Sequence, residues 1–460
     1  MDTKALRQKI LDLAIRGKLV PQNPNDEPAD VLLERIREQK MQMFKEGKLK
    51  KKDIKNDTVI FKGEDNLHYE KFQDGTMKCI EAEIPFELPE GWRWSRLGSL
   101  FSTITGNTPS TKNASLYGND YPFYKPTDLE AGLYVYTSEA MVSEKGYQAG
   151  RGVPEHSVLI TCIGATIGKT GYIRNTGICN QQINAILPHK FIAPEYTYFC
   201  MCSDFEQRQI WINSSSTTLP ILNKSKFDNL LFPVPPLLEQ SILIKEIKKL
   251  FQHVNIIQME KSTLQETLRL TKNKILDLAI RGKLVPQDPN DEPASVLLER
   301  IKAEKEELIK QGKIKRDKKE SIIFKGDDNS YYESVNEVVV SIEQDIPFEL
   351  PAEWTWCRIR NIASVRGGKR LPKGANFSNT LTDHAYIRVT DMKNWTINTA
   401  NLKYISDDVY EQIKSYTISS KDLYVTIAGT IGVVGEVPDS LEGMNLTENA
   451  VKIETVINSV

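Results

Sequence analysis

Histidine and cysteine are both scarce in this chain, five and six among 460 residues. The histidines are scattered and build neither a catalytic triad nor a metal site. The cysteines show no paired spacing for zinc; Cys200 and Cys202 fall on an aromatic-rich segment that reads as core, and a reduced cytoplasm fits best. Net charge is missing too. Sixty basic and 61 acidic residues leave a formal balance of −1, so no global field draws the chain to nucleic acid or an anionic membrane. Any such binding must come from local patches. No apolar run reaches the ~18 residues of a membrane span, and the charged start is no signal peptide. What remains is a globular, multi-domain chain, by length about three units.

Two stretches imitate catalytic loops. GATIGKT at Gly164 looks like a phosphate loop but has three residues, not four, before its Gly-Lys. A later copy, GTIGVVG, lacks the lysine, so a strand–turn–strand element is expected. Glu46-Gly47-Lys48 imitates half of a nuclease signature, at a helix end with no acidic partner at the right spacing. The chain is expected not to be a catalyst.

The longest pattern runs from Pro236 to Gly282. From Leu243, steps of four and three land on Ile247, Leu250, Val254, Ile257, Lys261, Leu264, Leu268, Thr271, Ile275 and Leu278. That is a coiled-coil seam broken only at Lys261 and Thr271, on a helix roughly 60 Å long at ~1.5 Å per residue. A long solvated helix on a larger domain is the plainer alternative. KILDLAIRGKLVP at Lys274 also stands at Lys9, so Ile10 and Leu13 copy Ile275 and Leu278. On this reading the N-terminal helix packs near the C-terminal end of the long one. The seam from Leu243 to Leu264 then needs a second long helix, from another chain or from a part absent here, paired antiparallel.

The repeat extends further. QNPNDEPADVLLERI follows Pro21 and QDPNDEPASVLLERI follows Pro286. A lysine-rich stretch, IFKG, IPFELP and a Trp-x-Trp pair (Trp92/Trp94, Trp354/Trp356) then recur, which means two similar halves. Each first helix should end at a glycine, Gly17 or Gly282. Each second helix should open at Asp26 and Pro28, or their copies, and stop near Gly47 or Gly312. The lysines from Lys48 to Lys55 and Lys313 to Lys319 read as solvated linker, with phosphate contact the sharper alternative. From Trp92 to Pro235, and again from Trp354, β-rich runs are punctuated by turn residues. Thr127-Asp-Leu pairs with Thr390-Asp-Met, the TIG at Thr166 with that at Thr430, and the Asn-Ala at Asn184 with that at Asn449. Between these anchors the halves hardly agree, as two binding modules for different targets would.

The order of a variable module, FPVPPLLEQ at Phe232, a long helix, the repeat and a second variable module resembles the DNA specificity subunit of type I restriction–modification systems. GNTPSTKN at Gly106 and NQQINAI at Asn180 look like that family's target-recognition modules. The resemblance covers essentially the whole chain. It implies a mixed α/β fold: two β-rich target-recognition modules, separated by long coiled-coil-forming helices in duplicated halves. The expected layout is a helical region and linker over 1–91, a first recognition domain over 92–236 and the long helix over 237–282. A repeated helical linker follows over 283–353, then a second, incomplete recognition domain over 354–460. It also implies double-stranded DNA, methyltransferase subunits and a restriction–translocase subunit as partners, with no membrane. S-adenosylmethionine, ATP and magnesium would belong to those subunits and no cofactor to this chain, which has no Asn-Pro-Pro-aromatic tetrad for adenine methylation. The family's second module is followed by another PxPPL turn and long helix. This chain stops at Val460 before either, so it is expected to be a fragment or a natural truncation, and its long helix to self-associate.

Reading DNA takes Arg or Lys for guanine and phosphate and Asn or Gln for adenine, presented on loops that reach the major groove. The first module offers Asn107, Thr108, Ser110 and Lys112 in one loop, then Lys125, Arg151, Lys169, Arg174, Gln181 and Gln182. The second offers VRGGKRLPKG, with Arg366, Lys369, Arg370 and Lys373, then Arg388, Asn394 and Trp395. Two glycines there would let the backbone approach a phosphate. Surface solubility is the plainer explanation for any one of these residues taken singly, and DNA contact is expected of the cluster from Arg366 to Lys373. A coiled-coil scaffold with two protein-binding β-rich domains is the competing function class, and an inert truncated subunit a third.

Overall fold

The structure, a computed structural model, describes residues 2–47, 49–215, 219–317 and 319–455. Lys48, Lys318 and the chain end at Val460, on which parts of the lysine, nuclease-signature and truncation readings fall, lie outside them. The chain divides into two compact units, Met1–Glu266 and Thr267–Val460. The architecture is mixed α/β, with a helix over Leu237–Ile280. Among the described residues no helix is long and apolar enough to cross a membrane.

In the first unit, the helix Thr3–Ile15 opens where the Asp2 carboxylate accepts from the N–H groups of Lys4 and Ala5, at 2.9 and 3.2 Å. It closes at Gly17, whose φ of +62° lets Lys18 donate back to the Leu13 carbonyl at 2.8 Å. Its apolar face, Ile10, Leu11, Ala14 and Ile15, shares one core with Leu243, Ile247 and Val254 of the long helix and with Tyr196 and Phe199 of the helix Pro194–Met201. Thr3 meets Gln258 at 3.5 Å, Arg7 meets Asn255, and Gln22 meets Glu239 at 2.8 Å, so the two helices run antiparallel.

This corrects the helix-pairing expectation. The N-terminal helix lies on the first half of the long helix, not its last turns, and the seam from Leu243 to Val254 is covered within the chain. Leu250 and Ile257 are half-buried. The exposed part of the seam is Leu264, Leu268 and Ile275, with Leu278 half-buried. Duplicated segments are equivalent parts of two repeats, so each seeks the same kind of partner and neither is the other's.

The second helix covers Ala29–Lys45, and its copy covers Ala294–Lys310. Asp26 is not the cap: the helix starts after Pro28, and the Ala29 N–H is satisfied by the Gly91 carbonyl at 2.7 Å. Beyond it, the stretch expected as linker holds a three-stranded antiparallel sheet, Val59–Lys62, His68–Lys71 and Met77–Cys79. Ser321–Lys325, Tyr331–Val335 and Val338–Ser341 repeat it. Short turns with left-handed residues, Asn66 and Gly75, join its strands. Arg96 anchors the first sheet from within, 2.7 Å from both Glu70 and Glu83.

The variable modules share a strand order. In the first, one sheet runs Thr103–Thr105, Ile183–Ile186, Val158–Thr161, Thr170–Ile173, Leu133–Val135. A second runs Met141–Val142, Tyr117–Tyr124, Gly177–Cys179, Gly152–Val153. In the second unit the orders recur as Ala363–Gly367, Ala450–Thr455, Leu423–Thr426, Val434–Glu436, and as Lys403–Tyr404, Ala385–Ile387, Met444–Leu446, Thr417–Ile418. A small hairpin, Met392–Lys393 with Thr396–Ile397, replaces the strand Leu133–Val135.

The anchors fare differently. The TIG turns coincide, since Gly168 donates to the Thr161 carbonyl at 2.8 Å and Gly432 to that of Thr426 at 2.9 Å. Asp128 and Asp391 coincide too, each accepting from the N–H three residues before it, that of Lys125 or Arg388. The Asn-Ala pairs do not: Thr161 opposes Ile183 while its counterpart Thr426 opposes Ala450. Ala450 therefore matches Ile183, two positions before Ala185. A slip of two keeps the same strand face and left no mark on the alternation of side chains.

Candidate nucleic-acid interface

In each module a loop is pinned across the end of two strands by a glycine. A Cβ at Gly106 would overlap the carbonyl oxygens of Cys179 and Asn180, and one at Gly368 those of Leu446 and Thr447. These glycines serve an internal approach of backbone to backbone. That replaces the expected phosphate role at Gly368, although nothing lies within 4 Å of a Cβ at Gly367.

The next residues are held by the same bonds in both modules. Asn107 donates from its backbone to Cys179, and Lys369 to Leu446, both at 2.9 Å. In the first module the Asn107 side chain accepts from the Arg151 N–H at 2.8 Å, and the Arg151 guanidinium donates to the Thr105 carbonyl at 2.8 Å. Thr108 donates to Gln181 at 2.5 Å, and Asn180 to Gln182 at 2.9 Å. The structure thus gathers Asn107, Thr108, Arg151, Gln181 and Gln182 at one end of the sheet. Ser110 and Lys112 follow on the same exposed loop. Lys125 sits one residue past the Tyr124 carbonyl that receives the Asn180 N–H, with its ammonium 5.6 Å from the Phe123 ring centroid.

Lys169 shares that end but is paired with Glu130 at 2.6 Å, so GATIGKT is a strand–turn–strand element whose lysine serves an ion pair. Arg174 is elsewhere, at the far end of the sheet over the rings of Tyr134 and Tyr172. Burial pushes the thiols of Cys162 and Cys179 up to about 12, which leaves both protonated and unreactive at neutral pH.

In the second module, Arg370 donates from Nε to Glu448 at 2.8 Å, and the Tyr386 hydroxyl stands 2.7 Å from the Lys369 carbonyl and 3.2 Å from Glu448. Burial opposes ionisation of Glu448, but its hydrogen bonds, first that from Arg370, hold the carboxyl below its ordinary value. Arg366 pairs with Glu454 at 2.9 Å, and Lys373 is exposed on the loop. Arg388 is bound by Asp391, at 3.0 and 2.7 Å, and by the Asn401 carbonyl. Asn394 and Trp395 form the tip of the hairpin with φ of +55° and +65°. The Trp395 carbonyl receives the Glu436 N–H, which puts this tip beside the far end of the sheet with respect to Arg370. Glu448 and Tyr386 were missed from sequence, because the slipped Asn-Ala alignment hid that Glu448 stands where Gln181 stands.

Among the described residues, one group outside these loops has the makings of a cation site: His68, Glu81 and Glu87. His68 Nδ1 is already bonded to Glu81 at 2.8 Å, and Tyr331 takes the place of His68 in the second copy, so it is no part of the duplicated frame.

A profile of the type I restriction modification DNA specificity domain matches residues 89–268. The chain is 27% identical to the type I restriction enzyme EcoAI specificity subunit of Escherichia coli, over 92% of this chain and 72% of that one. It is 28% identical to the EcoEI specificity subunit of the same species, over 78% and 61%. The HindI specificity subunit of Haemophilus influenzae is 30% identical over 45% and 42%. Against the crystal structure of the HsdS subunit from Thermoanaerobacter tengcongensis, identity is 14% and the TM-score 0.40, over 81% of this chain and 78% of that one.

Proposed function

We propose, from the premise that this chain is by sequence a type I restriction–modification specificity subunit, that its two variable modules each read one half of a split DNA site. The observation that carries this is the recurrence, in both modules, of a glycine-pinned loop in one backbone frame with different polar side chains on it. A constant frame with variable polar tips is what reading two different half-sites requires. The chain is non-catalytic. Methyl transfer, translocation and cleavage, with S-adenosylmethionine, ATP and magnesium, are assigned to methyltransferase and restriction subunits that dock on it, and its compartment is the cytoplasm.

The test is a gel-shift titration of the purified chain on duplex DNA over a range of salt. Phosphate contacts make log affinity fall linearly with log salt, by about 0.9 per contact. Methylome sequencing of cells with and without the subunit supplies the site. Salt-independent binding, or methylation unchanged by loss of the subunit, would favour a scaffold instead.

A further inference from the structure

We infer that one side-chain pair crossing each pinned loop sets the identity of one base pair: Thr108 with Gln181 for A·T, and Arg370 with Glu448 for G·C. The inference rests on the DNA-reading assignment above.

Backbone bonds establish that the two pairs are equivalent. Gly106 donates to the Ile183 carbonyl at 3.0 Å and Gly368 to that of Ala450 at 3.1 Å. Asn180 donates to Tyr124, and Thr447 to Ile387, both at 3.1 Å. Within that frame Thr108 and Arg370 each lie two residues past the glycine. Gln181 and Glu448 each directly follow the residue whose carbonyl the glycine touches. Each pair is closed by a hydrogen bond, Thr108 Oγ1 to Gln181 Oε1 at 2.5 Å and Arg370 Nε to Glu448 Oε1 at 2.8 Å.

The chemistries differ in a way that matches the bases. A glutamine amide carries a donor and an acceptor in one plane, the complement of adenine N6 and N7, and a hydroxyl beside it suits either partner. A guanidinium donates to guanine O6 and N7, and a carboxylate accepts from cytosine N4. Among the described residues Arg370 is engaged through Nε, which leaves its two terminal nitrogens for a base edge. Its side chain is 80% exposed, so it is no strut, and a surface ion pair contributes little to stability. The Tyr386 hydroxyl beside Glu448 belongs to the same device. The matching residue in the first module is Phe123, which has no hydroxyl to offer and faces no carboxylate at that position.

The experiment selects duplexes, randomised through two half-sites, on the purified full chain and reads base preference at every position. The double variants are Arg370→Thr with Glu448→Gln, and Thr108→Arg with Gln181→Glu. Each should change one position, from G·C to A·T in one half-site or the reverse in the other, by about fivefold or more. Unchanged preference at the untouched half-site shows that the variant is folded. Glu448→Gln alone, which keeps the side chain's shape, should weaken discrimination at the same position and carries the test if a double variant does not fold. A uniform loss of affinity with base preference intact would make these residues phosphate contacts. That overturns the inference and leaves the DNA-reading assignment standing. A wild-type chain that selects no sequence overturns both.

Discussion

The same thirteen residues occupy two environments, and this permits a test in which the sequence is its own control. Leu11 in the first copy is 3% exposed and packs in the core shared with Leu243 and Ile247, while Leu276 in the second is 44% exposed. Leu11→Ala removes buried methyl groups from a filled core and leaves a cavity, at about 2–5 kcal/mol. Leu276→Ala removes groups already half in water and opens no cavity, so about 1 kcal/mol or less is expected. For a unit of this size each kcal/mol moves the midpoint by about 2–4 °C, so Leu11→Ala should lower thermal stability by roughly 4–20 °C and Leu276→Ala by a few degrees at most. Urea denaturation followed by circular dichroism would give the same ranking. Hydrogen exchange should show the helix Pro194–Met201 losing protection only in the Leu11 variant. Equal losses in both would refute the argument that the N-terminal helix alone finds its cover within the chain.

Three further outcomes follow from particular contacts. Arg96→Ala leaves Glu70 buried without its partner and should cost about 3–5 kcal/mol, whereas Arg358→Ala in the more exposed copy should cost about 1 kcal/mol; paired urea titrations compare them. Burial raises the Glu206 carboxyl well above its ordinary 4.5. Its folded value thus exceeds the unfolded one, and its contribution to stability is whole below about pH 4.5 and declines as pH rises. Glu206→Gln should therefore gain on the wild type between pH 5 and pH 8, and a constant difference across that range would sink the reasoning. Self-association, expected along the seam from Leu243 to Leu264, should come instead from the exposed part that begins at Leu264. Sedimentation at tens of micromolar should show larger species that Leu264→Glu with Leu268→Glu abolishes, and a monomeric wild type would remove the idea.

How much was legible depended on whether a signal was local. Glycine ends of helices, the TIG turns and the long helix are written in short patterns governed by nearby sterics and periodicity, and they lie where those patterns put them. The identity of Leu243's partner is not local. A heptad stripe says that something apolar covers it, and the Lys9 and Lys274 copies suggested the wrong element, because identity of sequence marks equivalence of role and not contact. The three-stranded sheets were hidden by composition: strands such as His68–Lys71 and Met77–Cys79 are short and mostly polar, next to a lysine-rich run that reads as linker. At the candidate interface, residue types found Thr108, Gln181 and Arg370 but could not pair them. Pairing needs strand register, and register is set by the ladder opposite, where Thr161 faces Ile183 and Thr426 faces Ala450. Only that register brings Glu448 beside Arg370 and turns a basic cluster into a guanidinium and a carboxylate held side by side. A basic cluster alone fits phosphate as well as base, whereas a donor and an acceptor fixed together fit the two edges of one base pair.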